Sequence, residues 1–111
     1  FDINKTQYGN NSNNQNLKIK EIMTKGREEV QKLYDLNKYE SAINKSQMLI
    51  MVLKELNQKE VFNIELAQLY QDLAILYAKQ NQIELAKMTI KEAINLNPSA
   101  QNKEIQSLLN K

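Results

Sequence analysis

Histidine and cysteine are absent from this chain, which has only one proline and two glycines. Each scarcity closes off a class of chemistry or structure. Without His or Cys there is no imidazole base, no thiolate nucleophile and no soft-ligand zinc or iron site. Gly9 and Gly26 stand too far apart in the sequence to build a glycine-rich phosphate loop. No cofactor is therefore expected. So little Gly and Pro also leaves few tight turns for a sandwich or barrel, and long helices are the expectation. The longest apolar run is "MLIMVL", Met48 to Leu53. That is far below the roughly 18 residues needed to cross a bilayer, so no membrane insertion is expected.

What is present fits one small helical domain. Over 111 residues, 41% are hydrophobic and 25% charged, enough for a modest core. Fourteen Lys and a single Arg, Arg27, are spread among thirteen acids for a net charge of +2. Nucleic-acid binders concentrate their basic residues and favour Arg for bidentate readout, so no nucleic-acid partner is expected. Among the acids, Glu28 and Glu29 are the one adjacent pair. Neighbours on a helix diverge by about 100° and do not converge on a substrate, so this pair reads as solvated surface. No catalytic constellation remains, and the chain does not read as an enzyme.

Residues 1–16 contain six Asn and no apolar period. Such a stretch buries too little to offset its ordering entropy and reads as a flexible leader to a domain over 17–111. From Leu17 onward apolar residues recur at steps of three and four. Ile19, Ile22, Met23, Gly26, Val30 and Leu33 mark a first helix, which Asn37 is suited to close in the left-handed conformation. Tyr39, Ala42, Ser46, Leu49, Leu53 and Leu56 mark a second helix from about Lys38, and "NQK" at Asn57 to Lys59 breaks it. Leu66, Leu69, Tyr70, Leu73, Ala74, Leu76 and Tyr77 mark a third, over about Glu60 to Lys79. A fourth spans Ile83 to Leu96 and ends at Pro98, and Ser99 can cap a short fifth carrying Ile105, Leu108 and Leu109.

One six-residue frame appears twice. "NKYESA" at Asn37 to Ala42 returns as "NQIELA" at Asn81 to Ala86, 44 residues on. Around the second copy, Tyr70, Leu73, Ala74, Tyr77, Ala86, Ile90, Ala93 and Pro98 stand in the order and spacing W-x2-L-G-x2-Y…A-x3-F…P. In this block the chain resembles the tetratricopeptide repeat, a helix-turn-helix unit. The first unit, anchored on Ala42, offers Val30, Leu33, Tyr39 and Leu49 at matching places but has Glu29 where the pattern has Leu. Its spacing exceeds the usual 34 residues by about three helical turns, as in a long-helix variant.

The resemblance implies an all-α fold: antiparallel helix-turn-helix pairs stacked as a short right-handed α-solenoid. Repeat one would cover about 22–57, repeat two about 60–98, and a capping helix about 99–110. It also implies a concave groove that holds a peptide or partner helix. By register, Gln68, Gln71, Ile75 and Lys79 would face that groove, joined by Arg27, Gln31 and Tyr34 from the first unit. The carboxylate clamp of repeats that bind acidic chaperone tails is not met, because its places read Arg27, Gln31, Asn102 and Gln106.

A second expectation concerns Met48, Ile50, Met51 and Val52. One helix cannot turn four such close neighbours inward, so part of this patch should be covered by a second copy or by another protein. Two function classes follow: an interaction module that uses its groove, or a structural piece with no ligand in the groove, either a fragment of a longer solenoid or a subunit of a homodimer or larger assembly whose outer helices pack on neighbours.

Overall fold

In a computed structural model, the protein consists of helices joined by short turns. The structure describes the backbone of residues 2–111 and the side chains of residues 14–111. Among the described residues there are five helices and no strand: α1 (Asp2–Asp35), α2 (Tyr39–Leu56), α3 (Asn63–Lys79), α4 (Ile83–Leu96) and α5 (Ala100–Leu109). Among the described residues no helix is long and apolar enough to cross a membrane.

Asparagine builds each of the turns. Asn37 and Asn81 both sit at φ 62°, a left-handed conformation that Asn tolerates better than most residues. At the first turn Lys38 N donates to Leu33 O at 2.8 Å and Asn37 N to Tyr34 O at 2.9 Å. At the second, Gln82 N donates to Tyr77 O at 2.8 Å and Asn81 N to Ala78 O at 3.0 Å. These are two Schellman closures with the same pairing, displaced by 44 residues. The repeated hexapeptide is thus a repeated turn, whose Ala42 and Ala86 are both fully buried in the helix that follows.

The α2–α3 link is longer and held by a side chain. Asn57 Oδ1 accepts from Phe62 N at 2.7 Å while its Nδ2 donates to Asn63 Oδ1 at 2.7 Å. This clasp seats the buried Phe62 just ahead of α3. Glu60, with φ 58°, lies inside the link. The helix expected from Glu60 therefore starts at Asn63, because a left-handed residue cannot belong to a right-handed helix. At the α4–α5 turn, Ser99 Oγ accepts from Asn102 N at 3.1 Å, and Asn102 Nδ2 donates to Asn97 O at 3.1 Å.

The start of α1 also differs from the expectation at Leu17: its backbone is helical from Asp2. Helical hydrogen bonding needs no apolar face, so hydrophobic period does not mark where it begins. The side chains of residues 1–13, where most of the expected leader falls, lie outside the described residues.

Consecutive helices pack on one another, and α1 also meets α3. Two apolar clusters result. Met23 and Val30 of α1, Leu49, Ile50 and Leu53 of α2, and Leu66, Leu69, Leu73 and Leu76 of α3 form the first, with Phe62. Ala67 and Ala74 of α3 with Ile90 and Ala93 of α4 form the second, covered by Ile105 and Leu109 of α5. One helix, α3, belongs to both clusters and joins them.

Candidate interaction groove

The expected stripe on α1 and the expected stripe on α3 meet along a line of regular contacts. Lys20 Nζ lies 3.7 Å from Glu65 Oε2. One heptad on, Arg27 Nε donates to Asp72 Oδ2 at 2.7 Å and Arg27 Nη2 to Asp72 Oδ1 at 3.0 Å. A further heptad on, Lys79 Nζ stands 5.7 Å from the centre of the Tyr34 ring, within cation–π reach. The three rungs join positions 20, 27 and 34 to positions 65, 72 and 79, so α1 and α3 run parallel in a fixed register. Seven residues are close to two helical turns, which keeps all three rungs on one side of each helix.

Between the two helices lies a cleft of about 450 Å³, lined by Thr24, Arg27, Glu28, Val30, Gln31 and Tyr34 from α1 and by Asp72, Ile75 and Leu76 from α3. Val30 and Leu76 are buried and form its apolar base. Gln31 is exposed, and its Nε2 donates to Asp35 Oδ1 at 2.9 Å. Tyr34 is braced edge-on by Tyr39, with ring centres 5.5 Å apart.

The Arg27–Asp72 pair dominates the electrostatics of this cleft. The hydrogen bond to Asp72 pushes the Arg27 pKa up, partial burial opposes it, and the charge of Asp72 adds to the rise. Arg27 is therefore charged under all working conditions, but both faces of its guanidinium fork on that side are already used. The only Arg of the chain acts as a brace between α1 and α3 and offers little free charge to a ligand.

Of the seven residues expected in the groove, Arg27, Gln31, Tyr34 and Ile75 line the cleft. Lys79 is exposed at its end, over Tyr34. Gln68 is half-buried and lies outside the lining. Gln71 is a correction: it is 9% exposed and lies outside the lining too. At 100° per residue it sits about 70° from the centre of the line Gln68–Asp72–Ile75–Lys79, turned towards Ala67 and Ala74, which pack against α4. Asp72 is the residue that the sequence reading missed. A signal for it was present, since Glu65, Asp72 and Lys79 repeat at the same heptad spacing as Lys20, Arg27 and Tyr34.

The outer face of α2 is a separate feature. Met48, Met51 and Val52 are 52%, 65% and 46% exposed. Ile50 is a second correction, because it is 7% exposed and belongs to the core with Leu49 and Leu53. Contact with both α1 and α3 widens the buried arc of α2 enough to take two adjacent residues.

Among the described residues there is no cluster of acidic side chains able to hold a metal. No family model, curated protein or solved structure matches the chain.

Proposed function

We propose that the protein is a binding module that holds a peptide or a helix of another protein in the cleft between α1 and α3. In this reading the two helix pairs are long-helix tetratricopeptide-like units, α5 caps the stack, and the chain carries out no catalysis. The observation that carries the reading is the cleft itself: four of the seven residues that the resemblance assigns to a groove line one concave space of about 450 Å³. Its volume falls in the usual range for ligand sites, and a buried apolar base with amide and hydroxyl groups at the rim suits peptide recognition. The duplicated Schellman turns and the parallel register of α1 and α3 support the repeat reading.

The test is selection of binding peptides from a display library, followed by amide and methyl NMR titration of the full chain with the best of them. Shifts concentrated on Thr24, Gln31, Tyr34 and Ile75, with binding abolished by Ile75→Glu, are expected. Peptides whose shifts map elsewhere and whose affinity ignores Ile75→Glu would overturn the reading.

A second reading is favoured by the exposure of Met48, Met51 and Val52. Three large apolar side chains in five residues on one helix mark a surface that other chains cover more often than water does. In that reading the protein is a structural subunit, and α2 is its attachment face.

A further inference from the structure

The outer face of α2 carries a pattern that groove binding does not use. At 100° per residue, Lys45, Met48, Val52 and Glu55 fall in one narrow stripe. It lies away from the buried Ala42, Ser46, Leu49 and Leu53. Its centre is the exposed pair Met48 and Val52, flanked by Met51. Its ends carry opposite charges. Lys45 Nζ is held 3.1 Å from Glu29 Oε2. Glu55 is exposed and makes no ion pair among the described residues.

We propose that this stripe docks on the same stripe of a second copy, with the two α2 helices antiparallel about a two-fold axis near Ile50. Reversal about that position sets Met48 against the partner's Val52, and Val52 against the partner's Met48. It also sets Lys45 beside the partner's Glu55, and Glu55 beside the partner's Lys45. An isologous contact requires one surface to complement itself, and this stripe does so in both shape class and charge. A parallel pairing would instead place Lys45 beside the partner's Lys45 and Glu55 beside the partner's Glu55. Like-charge contact at both ends selects against it. Lys45 need not release Glu29, because an ammonium group has three donors. Since the buried side of α2 faces α1 and α3, the stripe points away from the cleft. The dimer leaves both clefts open, and the inference stands whether or not they hold a ligand.

The test is sedimentation equilibrium of the full chain from about 10 µM to 1 mM at low salt, the range expected for a contact of one helix per copy. Wild type should show a reversible monomer–dimer equilibrium, and Met48→Glu should be monomeric with unchanged helicity by circular dichroism. Glu55→Lys should weaken the dimer by about tenfold or more. An equimolar mixture of Glu55→Lys and Lys45→Glu should associate again as a heterodimer, because each end then pairs opposite charges. If Lys45→Glu does not fold, loss of the Glu55→Lys effect in 1 M NaCl carries the charge test instead. A wild-type monomer throughout, a dimer indifferent to Glu55→Lys, or a mixture of folded variants that stays monomeric would each overturn the proposal.

Discussion

Gly26 of α1 and Leu49 of α2 touch so closely that no side chain fits between them. A Cβ on Gly26 would stand 2.7 Å from Leu49 Cδ2 and 2.8 Å from Leu49 Cδ1. The positions 44 residues further on are Tyr70 of α3 and Ala93 of α4. There Tyr70 packs against the cluster that contains the fully buried Ala93.

Gly26→Ala should therefore destabilise the fold, although alanine is the better helix former. The helix gains about 1 kcal/mol from the exchange. Overpacking a filled site costs about 1–3 kcal/mol, and Leu49, 7% exposed and walled by the core, has little room to retreat. A net loss of about 1 kcal/mol in urea unfolding is expected. Combining Gly26→Ala with Leu49→Val should recover part of it, giving a coupling that independent sites would not show.

The brace between Arg27 and Asp72 should be worth more as a pair than either residue alone. The side chains retain 34% and 20% exposure, so solvent screening limits the gain to about 1 kcal/mol even with bidentate geometry. Asp72→Ala should cost about 1–2 kcal/mol, because it leaves a half-buried guanidinium without its acceptors. Arg27→Ala and the double variant complete the cycle, with coupling that shrinks in high salt. The raised Arg27 pKa stabilises the folded state at every pH below the unfolded value. That contribution is lost only as pH rises through the folded pKa, above any working range. Stability measured from pH 6 to 9 should show no step from this group.

Among the described residues, three other than glycine sit at positive φ, and they should respond differently to substitution. Asn37 and Asn81 close helices in a conformation that Asn accepts. Their replacement by Gly should change stability little, and by Ala should lower it by about 1 kcal/mol. Glu60 has no such tolerance at φ 58°, so Glu60→Gly should raise the melting temperature by relieving backbone strain. Thermal unfolding of the five variants separates the cases.

These contrasts show what the sequence could and could not disclose. The turns at Asn37 and Asn81 are local, so their hydrogen bonds depend on residues within one helical turn, and the repeated hexapeptide was enough to place them. The partner of Arg27 was hidden because it lies 45 residues away, across a contact between α1 and α3 that is set by how both helices pack on α2. Ile22 reads as core by its spacing from Ile19 and Met23 but is 58% exposed. A three-and-four pattern leaves one flank of the stripe ambiguous, and tertiary contacts decide which flank is covered. Ile50 was misread for the opposite reason: two neighbouring helices cover α2, so its buried arc is wider than one helix face.

The cleft yields the prediction that bears most directly on function. Ile75 is half-buried in its wall, between the Arg27–Asp72 brace and the Tyr34 ring, and contributes little to either core cluster. Ile75→Glu should leave melting within about 0.5 kcal/mol of wild type, as surface changes do. The introduced charge would nonetheless lie over Val30 and Leu76, where a bound side chain would have to displace its water. A selected peptide should lose at least about tenfold in affinity by calorimetry, equal to about 1.4 kcal/mol. Gln31→Ala should cost less, since Gln31 is exposed and its amide is partly spent on Asp35. Equal affinity for wild type and Ile75→Glu would move the binding surface away from this cleft and towards the outer face of α2.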